Sequence, residues 1–307
     1  MKISIVAPVY NEEECLEEFF RKTLAVAKTL EEEVEWIFVD DGSHDRSPEI
    51  LNGLHREDSR VKVLVFSRNF GHQPAIKAGI DHATGDAVIT IDADLQDPPE
   101  AIPDMIAKWK EGFDVVYAVR AERKGESFFK KTTASLYYRL MKRLTHIDMP
   151  LDTGDFRLIS RPVADVLKQM TEKRPFLRGL ISWLGFRQTG ILITREARFA
   201  GKTKFSLLKM LQFAWSGITH FSFFPMHVAT WIGLLTFVYC TIELIHTLYV
   251  SLVLKIAVPG WASLMVAILF LGSVQLITLG ILGSYLARNY DESRNRPLYL
   301  IQKKEGF

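Results

Sequence analysis

The chain has 307 residues, 38 Lys and Arg against 36 Asp and Glu, a formal net charge of +2, and 48% hydrophobic residues. This balance leaves no basic footprint for nucleic acid and is too apolar for a disordered chain. The two cysteines, Cys15 and Cys240, lie far apart, so no disulfide framework is implied.

In chain order, residues 2–9 form a short apolar run (Ile3, Ile5, Val6, Val9) that reads as a buried parallel strand. An amphipathic helix follows through roughly Leu30, on Leu16, Phe19, Phe20, Leu24 and Ala27. Trp36–Val39 is a second strand ending in Asp40-Asp41-Gly42-Ser43, where Gly42 allows a sharp exit and Ser43 or Asp45 can cap the next helix. Val61–Phe66 is a third strand, and a helix from about Pro74 to Ala83 comes after it. Ala87–Ile91 is a fourth strand and Val115–Val119 a fifth, ending in Arg120. Strands alternating with helices at this spacing predict a mostly parallel, doubly wound α/β sheet.

The fourth strand runs into Asp92-Ala93-Asp94-Leu95-Gln96-Asp97, and Pro98-Pro99 then stops regular structure. Ligands of open α/β sheets bind at the carboxyl ends of the strands. Two carboxylates one residue apart at that place suit a hard divalent cation, since Mg²⁺ takes one or two carboxylates plus substrate phosphates. No glycine precedes Gly42, so the phosphate-cradling Gly-x-Gly-x-x-Gly turn is missing after the first strand. A diphosphate must be neutralised in another way, and a metal at Asp94 would do so.

From Ser127 the pattern changes. Phe128, Phe129, Leu136, Tyr137, Leu140, Met141 and Leu144 recur at helical spacing among Lys130, Lys131, Arg139, Lys142 and Arg143, a basic amphipathic helix suited to a membrane surface or to packing on the sheet. Asp152–Arg157 reads as a polar turn, followed by a helix from about Pro162 and a last strand at Gly190–Thr194. A basic loop at Arg195–Phe205 leads into a second interfacial helix within residues 205–224. Residues 228–250 and 262–287 are each long and apolar enough to span a bilayer. The tail from 288 is basic, which places both ends of this hairpin in the cytoplasm by the positive-inside rule. The apolar stretch at Met1–Val6 is too short for a signal peptide. The expected organisation is a catalytic domain at 1–204, an interfacial helix at 205–224, a hairpin at 225–287 and a cytoplasmic tail at 288–307. Glu243 and His246 within the first span leave open a transport or scaffold role with a degenerate nucleotide domain.

Five motifs stand in order: Val6–Glu12, Val39–Asp45, Asp92–Pro99, Asp152–Arg157 and Arg195–Phe205. With them the whole chain resembles the inverting GT-A glycosyltransferases that act on polyisoprenyl phosphates. It is most similar to the bacterial bactoprenol glucosyltransferases of O-antigen modification, and related to dolichol-phosphate mannose synthases. The resemblance implies that Pro8, Tyr10, Glu12, Val39 and Asp41 hold the nucleoside, with Asp41 accepting from the base, and that Asp92 and Ala93 face the ribose and sugar. It implies that Asp94 with Gln96 binds Mg²⁺ or Mn²⁺, and that Arg120, Arg198 and Lys204 meet phosphate oxygens. Asp155 becomes the catalytic carboxylate, with Asp152 the runner-up, beside Asp94 and Arg198. Lys130, Lys131 and Arg139 join Arg198 as candidates for the acceptor phosphate. The implied reaction moves one glucose from UDP-glucose to undecaprenyl phosphate at the inner-membrane face, with GDP-mannose or an aminosugar nucleotide as alternative donors. Implied partners are a homo-oligomer through the membrane helices, a separate flippase and a separate glycan-modifying transferase. The processive synthases' Gln-x-x-Arg-Trp motif is absent.

Overall fold

A computed structural model of the chain describes residues 1–120, 153–173, 175–194, 224–253 and 260–307. They fall into two compact units, one holding the sheet together with Arg296–Phe307, the other the long apolar helices. The first is built from β1 (Lys2–Val9), α1 (Leu16–Ala27), β2 (Glu33–Asp40), α2 (Ser47–Glu57), β3 (Val61–Phe66), α3 (His72–His82), β4 (Ala87–Thr90), α4 (Ile102–Lys110) and β5 (Val115–Arg120). It continues with β6 (Thr153–Ser160), α5 (Arg161–Gln169), α6 (Leu177–Trp183), β7 (Gln188–Ile193) and β8 (Ile301–Glu305).

The sheet has eight strands in the order β7-β5-β6-β4-β1-β2-β3-β8. β1 pairs in parallel with β2 and β4, β2 with β3, and β5 with β7. The mostly parallel, doubly wound expectation holds because the central strands are covered on both faces. Ile3, Ile5, Ala7 and Val9 of β1 pack into one cluster with Leu16 and Phe19 of α1 and Met105 of α4. Val6, between them, points to the opposite face, where α3 passes so close that a Cβ on Gly79 would lie 2.1 Å from the Val6 side chain. Trp36, Phe19 and Phe38 are fully buried, each worth roughly 1.5–3 kcal/mol of transfer free energy. The indole of Trp36 donates to the Thr23 hydroxyl at 3.0 Å, so its polar edge is satisfied inside the core.

Two expectations are corrected. Residues 153–157 are not a turn but open β6, which runs antiparallel between β4 and β5. Every residue of β6 is buried, and the charges of Asp155 and Arg157 had disguised it as a loop. The segment after the second span is not simply a tail: residues 301–305 form β8, antiparallel on the β3 edge. The exposed Lys303 and Lys304 of β8 give it the charged character of an edge strand, which reads as tail in a sequence.

The second unit holds α7 (Phe224–Leu252) and α8 (Trp261–Ser293). Each contains a stretch long and apolar enough to cross a membrane, Met226–Glu243 and Phe270–Ser293. Leu235, Phe237, Leu276 and Leu286 are among their exposed side chains, which fits helices suited to an apolar environment. Thr236, Thr241 and Thr278 turn their hydroxyls onto carbonyls four residues back, which satisfies them without water.

Candidate active site

The carboxyl ends of β1, β2, β3 and β4 converge on one set of loops. Asn11, just past β1, adopts a positive φ of 54°. Its amide N–H donates to the Ser43 hydroxyl at 3.0 Å, and its side-chain oxygen accepts from the His44 N–H at 2.8 Å. The loop after β1 is thereby fastened to the loop after β2. In the latter, Gly42 has φ +71°, and a Cβ there would lie 2.6 Å from the Arg68 carbonyl carbon. Only glycine fits, so the loops after β2 and β3 touch backbone to backbone.

Asp41 is buried beside this contact. Its Oδ1 accepts from the Phe70 N–H at 2.6 Å and its Oδ2 from the Gly71 N–H at 2.9 Å. Burial raises its pKa, and those two N–H donors pull the other way. The carboxylate expected on the nucleobase is thus first the anchor of the loop that starts α3. A carboxylate has about four acceptor positions, so an edge remains for a ligand. Pro8 and Val39 are buried on β1 and β2 beneath this place, Glu12 is half-buried, and Tyr10 is exposed at the rim.

Thr90 of β4 pairs with Arg157 of β6, so the antiparallel register, carried two residues further, sets Asp92 against Asp155. The Thr90 hydroxyl donates to the Asp155 carbonyl, a diagonal bond between the same two strands. His72, first residue of α3, joins the two acids: its Nε2 lies 3.1 Å from Asp155 Oδ2 and 3.5 Å from Asp92 Oδ1. The Gln73 amide donates to Asp155 Oδ2 at 3.1 Å, while its oxygen accepts from the Leu177 N–H at 3.2 Å. Arg178, from α6, completes the ring with Nε 2.8 Å from Oδ1 and Nη2 3.0 Å from Oδ2, a bidentate fork. Its Nη1 donates to the Thr153 carbonyl. Arg157 is buried behind and donates to the Gly154 carbonyl at 2.8 Å.

These contacts set the charges. Burial alone would raise Asp155, but the Arg178 charge, the donors from His72 and Arg178, and Arg157 behind hold its carboxyl well below the usual range. Burial opposes a charge on His72, yet the bond to Asp155 and the negative Asp92 and Asp155 outweigh it and raise its pKa to about 9. Burial lifts Asp92 to about 6, with His72 opposing and the charges of Asp155, Asp94 and Asp97 adding to the lift. Burial brings Arg157 down to about 10. Asp155 is therefore an ionised, donor-saturated carboxylate, built to orient and hold charge.

Of the residues expected at the site, Asp41, Asp92, Asp94 and Asp155 come together at this end of the sheet, and Arg120 closes β5. Asp152, Lys130, Lys131, Arg139, Arg198 and Lys204 lie outside the described residues. His72, Gln73 and Arg178 were not foreseen. His72 and Gln73 lie between the third strand and the helix expected from about Pro74, and nothing in their spacing announces a carboxylate partner more than eighty positions away.

Residues 4–167 match Glycosyl transferase family 2. The chain belongs to that family. It is 50% identical to the uncharacterized glycosyltransferase YkcC of Bacillus subtilis, over 100% of this chain and 95% of that one. It is 44% identical to the bactoprenol glucosyl transferase of Shigella phage SfII, over 99% and 98%. The prophage bactoprenol glucosyl transferase homolog of Escherichia coli is 42% identical, over 99% of each. Among solved structures, glucosyl-3-phosphoglycerate synthase from Mycobacterium tuberculosis is a more distant likeness, 18% identical over 71% of this chain and 77% of that one, with a TM-score of 0.48.

For a family 2 glycosyltransferase the donor set after β4 is the place to test for a metal. Asp92, Asp94 and Asp97 offer only hard oxygens; burial is the main cause that raises Asp92, and the repulsion from Asp155, Asp94 and Asp97 that adds to it is what a divalent cation relieves. Asp94 is buried, with Oδ1 accepting from the Gln96 N–H at 3.1 Å, and Leu95 between them is held at φ 59°. A non-glycine residue in that conformation costs of order 1–3 kcal/mol and persists where the surroundings demand it. Among the described residues no three His, Cys, Asp or Glu side chains converge as a full metal cage. The residues fit a cation that takes its remaining ligands from a substrate diphosphate.

Proposed function

We propose that the chain transfers one glucose from UDP-glucose to undecaprenyl phosphate, with inversion, to give a β-linked polyprenyl-phosphate glucose. The observation that carries this reading is the state of Asp155: ionised and saturated by Arg178, His72 and Gln73, it is poorly suited to take a proton from a hydroxyl. An acceptor phosphate has a second pKa of about 6 and arrives largely as the dianion, so its oxygen needs no strong base. Two relatives matched over nearly their whole length carry bactoprenol glucosyl transferase in their names, which supports the same lipid and the same sugar.

Tyr10, Pro8, Val39 and Asp41 would take the nucleoside at the rim, and Asp92 with Ala93 would face the ribose and sugar. Asp94, with Gln96, would hold Mg²⁺ or Mn²⁺, which when bound offsets the charge of the leaving diphosphate. Asp155 holds His72 and Arg178 in a fixed array beside the reacting centre, so their positive charges are in place before charge develops. Arg120, Arg198 and Lys204 are the remaining candidates for phosphate contacts, with Lys130, Lys131 and Arg139 for the lipid's. In this reading the two apolar helices anchor the enzyme in the bacterial inner membrane, with the sheet on the cytoplasmic face. That both arms of the chain flanking the helices enter one sheet, the second as β8, supports an even number of crossings. The product would serve O-antigen or other envelope glycans, through a separate flippase and a separate glycan-modifying transferase.

The test is incubation of the detergent-purified chain with undecaprenyl phosphate and a panel of labelled nucleotide sugars. Label from UDP-glucose in an alkali-stable lipid phosphate product is expected. Label from GDP-mannose or an aminosugar nucleotide instead would change the donor and keep the reaction class. Transfer to a hydroxyl acceptor, and none to the lipid phosphate, would overturn the reading.

A further inference from the structure

The segment that follows the second apolar helix does more than return the chain to the sheet. Tyr299, two residues before β8, stacks on Phe66 with ring centroids 5.2 Å apart and planes 10° from parallel. Its hydroxyl donates to Asp81 Oδ2 at 2.9 Å, on the last turn of α3. The next residue, Leu300, accepts at its carbonyl from the Ser67 N–H at 3.0 Å, and β8 then pairs along β3. Every one of these contacts falls on the element that ends in the site: β3, the loop after it, and α3.

The path from Tyr299 to the acids is short. Phe66 closes β3 and meets Phe70 edge to face at 5.6 Å. Arg68 covers the other part of the Phe70 ring, 4.0 Å from its centroid. The Phe70 and Gly71 N–H groups are held by Asp41, and the next two residues, His72 and Gln73, hold Asp155. At the far end of the same helix Asp81 accepts from Lys77 at 2.5 Å as well as from Tyr299. α3 is thus pinned at its last turn and at the strand that feeds it by one side chain; burial, joined by the Asp81 charge and hydrogen bond, pushes that phenol's pKa upward and keeps it a donor.

We infer that Tyr299 is a positioning residue: through Phe66, Phe70 and Asp81 it sets the place of His72 and Gln73 and hence the orientation of Asp155. The chain beyond the apolar hairpin is then part of the catalytic apparatus. A shift of the first turn of α3 would move two of the four donors on Asp155 without touching Pro8 or Val39. This inference rests on the proposed transfer reaction for its kinetic readout and on the contacts alone for its second readout.

The experiment uses the full chain in detergent with Tyr299→Ala, Tyr299→Phe, His72→Ala and the Tyr299→Ala/His72→Ala pair. Misplacing catalytic groups by about 1 Å can cost on the order of a hundredfold in rate, so Tyr299→Ala is expected to lower kcat at least about tenfold. Tyr299→Phe keeps the stack on Phe66 and should recover most of it. In the His72→Ala background Tyr299→Ala should cost little more, because coupled residues are not additive. Hydrogen exchange followed by mass spectrometry should show faster exchange in Tyr299→Ala within 66–73, and little change in β1 or β4. Full additivity of the two substitutions, an unchanged kcat, or exchange that rises evenly across the sheet would overturn the inference. If the wild-type chain transfers no sugar, the functional reading fails, and the exchange pattern alone decides this one.

Discussion

Arg178→Ala is the perturbation that probes the site most directly. Asp155 is buried, with its carboxylate only 9% exposed, while the Arg178 side chain is 32% exposed. Breaking a fully buried pair costs about 3–5 kcal/mol, and a hydrogen bond to a charged group contributes about 1.5–3 kcal/mol. Solvent reaches the arginine, and His72 and Gln73 stay on Oδ2, so the lower range applies: about 2 kcal/mol. For a unit of this size each kcal/mol moves Tm by roughly 2–4 °C, which gives a fall of about 4–8 °C. The loss in transfer should be larger than this unfolding explains, on the order of ten- to a hundredfold at 25 °C, because Oδ1 loses its donor and Asp155 can turn. Arg178→Lys restores the charge and not the fork, and should recover Tm better than rate. The assay pairs thermal unfolding in detergent with initial rates of label transfer. A variant with wild-type Tm and wild-type rate would falsify the idea that this ion pair organises the site.

Other consequences follow from the same contacts. Transfer should stop in EDTA and return with Mg²⁺ or Mn²⁺, and Asp94→Ala should lose both transfer and calorimetric Mn²⁺ binding while its unfolding curve stays cooperative; full activity in EDTA sinks the metal assignment. His72 has its pKa raised from 6.5 to about 9, so its contribution to stability is complete below 6.5 and is lost as pH rises through 9; Tm scanned upward across that window should fall in the wild type and stay flatter in His72→Gln. Asp155, held low, acts in the opposite sense, its contribution being present above 3.8 and lost as pH falls through its depressed value. Gly42→Ala combines a φ of +71° with a 2.6 Å approach to Arg68, which should cost about 1–3 kcal/mol and weaken donor binding in calorimetry. Asp41→Ala frees Phe70 and Gly71 as well as any base contact, so donor affinity and kcat should both drop; a change in affinity alone would mean that the loop stands without it.

Much of this protein was legible before any coordinate. The runs Ile3–Val9, Trp36–Val39, Val61–Phe66 and Ala87–Ile91 declare themselves as strands because a strand covered on both faces must be apolar throughout. Asp92 and Asp94 announce a site because acids at the end of such a strand have no place in a core. The two apolar stretches are plain for the same reason: their composition is decided by the medium, residue by residue. What the tertiary structure decided is which distant groups meet. Asp152–Arg157 reads as a turn because the charge of Asp155 is satisfied by Arg178, His72 and Gln73, partners that local pattern cannot name, whereas residues 153–160 are β6. The antiparallel insertion of β6 between β4 and β5 depends on pairing across long sequence separations, and that pairing alone puts Asp155 opposite Asp92. β8, with Lys303 and Lys304 toward solvent, has the composition of a tail; it is a strand because the β3 edge offers unpaired N–H and C=O groups, and backbone hydrogen bonds do not depend on the side chains that a sequence displays.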